Sequence, residues 1–171
     1  IENLLYAALV GSANNAVETL VRVSGLSRPD FIQKMNETVK AWGAQHTNFI
    51  EPTGLSPENV SSPLDYAIIT RELYKNPLLK KISTTAKYSF TTINKKIKHN
   101  LSNTNGLILS GNYKINGSKT GYLDEAGYCL MTRVESPSGN LIIVNFGAKS
   151  KDENFKDNEQ LIRYGLKQLA Q

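Results

Sequence analysis

The spacing of apolar residues changes once along this chain, and that change limits the fold more than any other feature. Up to about residue 77, apolar side chains recur every three or four positions, which is typical of helices. From residue 78 onward, β-branched and aromatic residues cluster in short runs bounded by turn residues, which is typical of strands. The sequence therefore predicts an α+β protein, with a helical lobe at residues 1–77 and an antiparallel sheet with a closing helix at residues 78–171.

Start and stop signals divide the helical lobe into four predicted helices. A break at Gly11 separates the first two. The third begins at Ser27, which stands three residues before an acidic residue in a capping-box pattern, and it stops at Gly43. A Ser-Pro pair at Ser62 starts the fourth helix, which is expected to reach about Asn76.

Turn residues and β-branched runs divide the second block. A tight turn rich in Pro, Ser and Gly between two apolar runs is the strongest hairpin signal in the chain. The predicted segments are a strand at 88–93, a polar segment at 95–105, hairpin strands at 126–135 and 141–148 around a turn at 137–140, and a final helix at about 154–170.

The formal net charge of +5 favours anionic partners such as nucleic acid, anionic lipid or an acidic wall polymer. The densest basic run is Lys95, Lys96, Lys98 and His99. A solvated face is the favoured interpretation of this run, because aromatic residues do not alternate with the lysines as base stacking requires. We therefore expect no nucleic-acid partner.

Cysteine and histidine usage argues against a disulfide or a metal centre. Cys129 is the only cysteine, so no disulfide can form within the chain. Its apolar neighbours predict a buried structural thiol rather than a nucleophile. His46 and His99 have no acidic or cysteine partners at the spacing of metal ligands, so we expect neither a metal nor another cofactor.

Two short motifs stand out for their chemistry. The first is Ser12-Ala13-Asn14, at the break between two predicted helices, and the second is Lys119-Thr120-Gly121, at the start of a predicted strand. Taken singly, each has a simple structural interpretation. Ser12 or Asn14 could cap the second helix, and the lysine motif could be a tight turn.

Together and in this order, the two motifs resemble the second and third motifs of the penicillin-recognising serine enzymes, whose set is S-x-x-K, S-x-N and K-T-G. The flanking sequence narrows the resemblance to the low-molecular-mass D-alanyl-D-alanine carboxypeptidases. The similar stretches are LLYAALVGSANNA at 4–16, Met35-Asn36, TNFIEPTGLS at 47–56, KTGY at 119–122 and DEAGYCL at 124–130. The resemblance covers essentially the whole chain and implies one incomplete transpeptidase-like domain with a β-lactamase/DD-peptidase-like fold.

The resemblance also implies roles for the residues of both motifs. The reaction is acyl transfer, in which a serine attacks a D-Ala-D-Ala peptide and water then hydrolyses the acyl-enzyme. Ser12 would relay a proton, and Asn14 would bind the substrate amide and hold the catalytic lysine. Lys119 would supply a fixed positive charge near Ser12 and would also favour the anionic C-terminus of the substrate.

Substrate binding would fall to the residues that follow this lysine. Thr120 would bind the terminal carboxylate of the substrate through its hydroxyl, and Gly121 would allow the strand to approach the peptide closely. The backbone N–H of Tyr122 would be one donor of the oxyanion hole.

The first motif of the set, S-x-x-K, does not occur in the 171 residues. The nearest matches begin with threonine, at Thr84 and Thr92, and both lie on the wrong side of the second motif. We therefore expect the nucleophile and its lysine to lie outside this chain, which alone would be inactive. A longer parent protein, a separate chain and a swapped copy of this chain remain open as its source.

The function implied by the resemblance is that of a serine D-Ala-D-Ala carboxypeptidase acting on peptidoglycan stem peptides. Such an enzyme would bind β-lactam antibiotics and work in the bacterial cell envelope, in the periplasm or on the outer face of the cytoplasmic membrane. A D,D-endopeptidase that cuts cross-links is the nearest alternative, since the same residues serve both reactions. A β-lactamase is less favoured, and a non-catalytic module that binds peptidoglycan or a partner protein also remains open.

Overall fold

A computed structural model describes residues 1–170 of the chain. These residues form seven helices and five strands, in the α+β arrangement that the sequence predicts. The helices are α1 (Glu2–Leu9), α2 (Asn14–Val23), α3 (Arg28–Ala41), α4 (Pro63–Leu73), α5 (Pro77–Ser83), α6 (Gly106–Ser110) and α7 (Lys151–Leu169). The strands are β1 (Lys87–Thr91), β2 (Lys98–Ser102), β3 (Ile115–Leu123), β4 (Gly127–Ser136) and β5 (Gly139–Ala148).

The strands form two antiparallel sheets. The larger sheet has the order β3-β4-β5, so that β4 is the central strand, and the smaller is the hairpin β1-β2. In the larger sheet, Thr120 pairs with Leu130 and Gly121 with Cys129. The lysine motif therefore lies on a strand that is paired on one side only.

The main core lies between the larger sheet and α7. Its buried side chains are Leu107, Leu130, Val134, Ile143 and Ile162. α7 packs against β4 and β5, and Gly165 gives room to Leu141, whose side chain would lie 2.5 Å from an added Cβ atom. α4 also packs against β5, where the rings of Tyr66 and Phe146 meet edge to face.

A second core joins α1 to the small hairpin. Tyr6, Val10 and Ile82 are buried there, and Tyr88 and Leu101 of the hairpin pack against them. The rings of Tyr6 and Tyr88 stack with their centroids 3.6 Å apart. The hairpin therefore packs against the end of α1 and holds the helical break at residues 11–13 in place.

Two elements in the middle of the chain, α5 and β2, were not predicted. The fourth helix was expected to reach Asn76 but ends at Leu73, and Asn76 instead caps α5 by accepting bonds from two backbone N–H groups. The polar segment at 95–105 was assigned neither to a helix nor to a strand, and it contains β2. Its polar residues suit a strand because one face of the small hairpin is open to solvent.

Other boundaries differ by a few residues. The final helix begins at Lys151 rather than near Asn154, because the hydroxyl of Ser150 accepts a bond from the backbone N–H of Glu153. The capping predicted at Ser27 and Ser62 is confirmed, since each hydroxyl accepts from the N–H three residues later. No helix within the described residues 1–170 is long and apolar enough to cross a membrane.

The strand that carries the lysine motif is fixed by a close contact with Tyr74. This side chain is 2% exposed, and its hydroxyl accepts from the N–H of Ser118 at 3.2 Å and donates to the carbonyl of Ser118 at 3.0 Å. The ring lies directly over Gly117, where an added Cβ atom would be 2.6 Å from a ring carbon. Only a glycine lets the tyrosine reach the strand.

We therefore predict that Gly117→Ala lowers the free energy of unfolding by about 1–3 kcal/mol, the usual cost of overpacking a buried site. Gly121→Ala is the matched control on the same strand, because its Cβ atom would meet only an ordinary contact at 3.8 Å. Urea unfolding of both variants checks this. Equal stability of the two variants would contradict the proposed role of the tyrosine contact.

Candidate active site

The side chains of the two sequence motifs meet at one point. Lys119 Nζ donates a hydrogen bond to Ser12 Oγ at 2.6 Å, although the two residues are 107 positions apart in sequence. Lys119 Nζ also donates to the carbonyl oxygen of Thr120 at 2.6 Å. A serine hydroxyl and a lysine ammonium are thereby placed side by side.

The backbone at Ser12 is held in an uncommon conformation. Its φ angle is +53°, in the left-handed region that residues with side chains rarely occupy. The neighbouring residues hold it there: the N–H of Ala13 donates to the carbonyl of Ala7, and Val10 accepts from the N–H of Thr104. An added Cβ atom at Gly11 would lie 3.1 Å from Ala7 O, so this break packs tightly.

Neither polar residue of the first motif caps a helix, contrary to the simple structural interpretation. The N-cap of α2 is Ala13, with no side-chain capping bond. Within the described part of the chain, the Asn14 side chain makes no hydrogen bond to protein, and it lines the same cleft as Ser12. Both side chains are therefore available to a ligand.

The ammonium group of Lys119 lies in a partly dry setting. Withdrawal from water penalises its charged form and lowers the pKa of Lys119 from 10.5 to about 8. At neutral pH it is still mostly protonated, and it can act as a positive charge. Slightly above neutral pH, a fraction becomes neutral and can accept a proton.

The hydroxyl of Thr120 is oriented by a residue that the sequence analysis missed. Thr104 Oγ1 and Thr120 Oγ1 lie 2.6 Å apart. The residues on either side of Thr104 are buried and hydrogen-bonded. The side-chain amide of Asn103 donates to the carbonyl oxygen of Ser83 at the end of α5, and that of Asn105 donates to the hydroxyl of Ser118. A run of three hydrogen-bonding side chains directly before the short apolar helix α6 is the sequence signal that could have revealed this support.

All six residues predicted for the site line one cleft of about 570 Å³. Of the described residues that line it, Lys119 alone carries a charge. The residues of the two motifs are Ser12, Asn14, Lys119, Thr120, Gly121 and Tyr122, and the facing wall includes Phe49, Thr53, Gly54, Leu55, Asn59, Tyr66 and Phe146. The cleft therefore suits a ligand with one anionic group and an otherwise uncharged, partly apolar body.

Most of the facing wall is a loop organised around one carboxylate, and Tyr66 of α4 and Phe146 of β5 complete it. Glu51 accepts bonds from the backbone N–H groups of Thr53, Gly54 and Leu55 at 2.6–2.8 Å and from the side-chain amide of Asn59 at 2.7 Å. Burial alone would raise the pKa of Glu51, but the hydrogen bonds from the loop outweigh it and hold the pKa below its usual value. The carboxylate serves the loop and is not among the residues that line the cleft.

The ends of this loop are tied to the helices. The side chain of Asn36 on α3 bonds both the N–H and the carbonyl of Phe49. Asp65 on α4 is 2% exposed, and it accepts from the N–H of His46 and the hydroxyl of Thr47. The wall is therefore positioned by two polar side chains on separate helices.

Two further sequence predictions concern Cys129 and metals. The prediction of a buried thiol is wrong, because Cys129 is half-buried and lines the cleft. It lies opposite Gly121 on the neighbouring strand, and the missing side chain of that glycine leaves it open to the cleft. Among residues 1–170, no group of three His, Cys, Asp or Glu side chains is arranged to hold a metal ion.

Comparison with known proteins identifies the family. The sequence model described as D-alanyl-D-alanine carboxypeptidase, peptidase family S11, matches residues 1–150. The chain belongs to this family of serine peptidases, as the two motifs and the cleft between them indicate.

Individual relatives and solved structures agree with this assignment. A D-alanyl-D-alanine endopeptidase of Escherichia coli is 32% identical over 94% of this chain, and a D-alanyl-D-alanine carboxypeptidase of Bacillus subtilis is 32% identical over 98%. The DD-transpeptidase of Streptomyces K15 superposes with a TM-score of 0.90 at 26% identity, covering 96% of this chain and 67% of that one. Penicillin-binding protein D2 of Listeria monocytogenes, solved with cefotaxime bound, gives a TM-score of 0.81 at 32% identity over 96% of this chain and 65% of that one.

The fold is therefore the penicillin-binding, DD-peptidase type that the resemblance implied. The chain spans about half the length of the relatives it matches, 52% of the E. coli protein and 43% of the B. subtilis protein.

The setting of Lys119 predicts a pH dependence of stability. Because its folded pKa of about 8 lies below the ordinary value of 10.5, the unfolded chain binds a proton that the folded chain lacks between these values. The free energy of unfolding contributed by this group therefore rises as pH increases from 8 to 10.5, and below pH 8 the charge is a net cost. Lys119→Met removes this titration.

Unfolding curves of both proteins at pH 7, 8, 9 and 10 check the sign. Groups common to both cancel in the difference, so the wild type should gain stability relative to Lys119→Met as pH rises. A constant difference would show that the lysine titrates at its ordinary value.

The hydrogen bonds of Glu51 predict that Glu51→Gln loosens the loop. The amide has one oxygen instead of two, so it leaves backbone N–H groups of the loop without an acceptor, each at a cost of about 1–3 kcal/mol. Amide hydrogen exchange at residues 53–55 should accelerate roughly tenfold or more. Glu58→Gln, on an exposed side chain of the same loop, should leave the exchange unchanged, and equal exchange in the two variants would refute the role of Glu51.

Proposed function

We propose that this chain supplies the S-x-N and K-T-G walls of a serine D-Ala-D-Ala carboxypeptidase that acts on peptidoglycan stem peptides. The observation that carries the proposal is the contact between Ser12 and Lys119 beside the hydroxyl of Thr120, in a cleft lined by a single charged residue of the described chain. Family membership supports the same reaction class.

The geometry suits a substrate that ends in a carboxylate. The ammonium group of Lys119 attracts the terminal carboxylate of D-Ala-D-Ala, and the hydroxyl of Thr120 donates a hydrogen bond to it. A hydrogen bond to a charged group contributes about 1.5–3 kcal/mol. The backbone of Gly121 lies along the peptide without a side chain to block it, and the N–H of Tyr122 serves the oxyanion.

The residues of the S-x-N motif carry out proton transfer. Ser12, bonded to a lysine whose pKa is about 8, relays the proton between the attacking serine and the leaving amine. Asn14, with a side chain that makes no bond to the described protein, binds the substrate amide and the lysine of the first motif. That lysine and the nucleophilic serine, S-x-x-K, come from residues outside these 171.

The two walls come from different parts of the chain. Residues 1–77 contribute Ser12 and Asn14, and residues 78–171 contribute the lysine motif. We treat these blocks as two parts of one transpeptidase-like domain. We place the protein in the bacterial cell envelope, in the periplasm or on the outer face of the cytoplasmic membrane, with β-lactams as ligands of the same cleft.

A D,D-endopeptidase is the alternative, and relatives with that name are 32% identical to this chain. Both reactions attack the same D-Ala carbonyl, and they differ in the leaving group. Incubating the intact parent protein with a pentapeptide and with a cross-linked dimer separates them. Release of free D-Ala supports the carboxypeptidase, whereas cleavage of the dimer alone supports the endopeptidase.

Binding of an acyl-D-Ala-D-Ala peptide to the purified chain tests the proposal. Wild type should bind this peptide more tightly than its C-terminal amide or its L-Ala-L-Ala isomer. Thr120→Val should weaken binding by roughly 10- to 150-fold, whereas Thr19→Val, the same change on α2, should not. Calorimetry that finds equal affinity for the acid and the amide would refute the carboxylate site.

Covalent labelling tests the origin of the nucleophile. Because the 171 residues contain no S-x-x-K, the chain incubated with a fluorescent penicillin and then denatured should carry no label. A stoichiometric label would place a nucleophile within the chain, and the labelled residue would be found by peptide mapping.

A further inference from the structure

The positive charge of the chain is concentrated in one segment. Residues 73–123 contain nine lysines and no Asp or Glu, whereas the other 120 residues contain 11 basic and 15 acidic side chains. The net charge of +5 therefore arises from this segment alone. Lys119 lies in the cleft, and two further lysines lie in the last turn of α5. Three others, at positions 95, 96 and 98, lie together at the end of the small hairpin.

This hairpin tip consists of residues 92–98, which are the turn between β1 and β2 and the first residue of β2. Every residue from Ile93 to Lys98 is exposed, with Ile93 84% and Ile97 49% exposed. Within residues 1–170, Lys95, Lys96 and Lys98 form no salt bridge, whereas Lys75 and Lys114 elsewhere in the segment do. Two isoleucines and three unpaired ammonium groups thus share one projecting tip.

The tip is held in a fixed shape. The N–H of Thr92 donates to the carbonyl of Ile97 at 2.9 Å, and the N–H of Ile97 donates to the Thr92 hydroxyl at 2.9 Å. Behind the tip, Phe90 stacks on His99 with ring centroids 4.9 Å apart. The hydrogen bonds of the hairpin therefore hold Ile93 and Ile97 in solvent, although exposed apolar surface is unfavourable in water.

We propose that this hairpin tip docks onto a bilayer that contains anionic phospholipid. The lysines attract the headgroup phosphates, and Ile93 with Ile97 inserts into the apolar boundary beneath them. Such docking is independent of the peptidase function. Because β2 leads directly to Thr104, which contacts Thr120, docking would also fix the orientation of the cleft relative to the membrane.

The exposed isoleucines favour a bilayer over other anionic partners. An acidic wall polymer has phosphate groups but offers no apolar layer, so Ile93 would gain nothing by binding to it. Single-stranded nucleic acid is bound through aromatic rings that stack on its bases, and residues 92–98 contain none. A duplex would attract the lysines through its phosphates but offers no apolar layer for the isoleucines. A bilayer is the partner that uses both the lysines and the isoleucines.

Sedimentation with vesicles of phosphatidylglycerol and phosphatidylcholine, at low and moderate salt, tests the charge. Each lysine near an anionic surface contributes a factor of about five, so Lys95→Gln/Lys96→Gln/Lys98→Gln should weaken binding roughly 100-fold. Lys40→Gln/Lys156→Gln/Lys167→Gln removes the same charge from exposed helical positions and should have little effect. Equal loss in the two triple variants would overturn the proposal, because it would show a response to net charge alone.

Ile93→Ser tests the apolar part of the contact. Loss of an inserted side chain should weaken vesicle binding by about tenfold, whereas Leu64→Ser, at a residue 72% exposed on α4, should not. Binding that is unchanged by Ile93→Ser, or equal on pure phosphatidylcholine, would overturn insertion into an anionic bilayer. Binding to soluble poly(glycerol phosphate) as tight as to the vesicles would overturn it in favour of an acidic polymer.

Discussion

The contact between Lys119 and Ser12 is the interaction on which the rest of the site depends. An ammonium group in a partly dry cleft loses hydration, and its charge is retained because a hydroxyl and a carbonyl oxygen accept hydrogen bonds from it. The remaining loss of hydration appears as the lowered pKa of Lys119. A ligand carboxylate would offset that loss, so the same feature that costs stability in the free chain favours binding of an anion.

Much of the fold serves to bring these two residues together. On one side, the backbone of Ser12 is held in a left-handed conformation by bonds from the adjacent turns and from the segment that follows β2. On the other side, Tyr74 lies over Gly117 and bonds Ser118 next to the lysine. The loop organised by Glu51 closes the cleft opposite the strand, so that each wall is fixed by buried polar contacts and not by apolar packing alone.

The sequence predicts the parts of this structure that depend on local chemistry. The caps at Ser27 and Ser62 follow from neighbouring residues, and both are confirmed. α5 was missed because Asn76 and Pro77, which begin it, also resemble stop signals for the preceding helix. The small strand β2 was missed because one face is solvated and its residues are polar.

The role of Glu51 could not be predicted, because its partners are backbone N–H groups. The meeting of Ser12 and Lys119 was implied only by family resemblance, since no local pattern relates residues 107 positions apart.

The position of a bound carboxylate is the decisive test of the site formed by Lys119, Ser12 and Thr120. Crystals of the chain grown with an acyl-D-Ala-D-Ala peptide would locate it. We predict that the terminal carboxylate lies within hydrogen-bond distance of the Thr120 hydroxyl and close to Lys119 Nζ, with the peptide along Gly121. A carboxylate bound outside this cleft, or a peptide running past Lys119 with its carboxylate in solvent, would show that Lys119 and Thr120 do not form the carboxylate site.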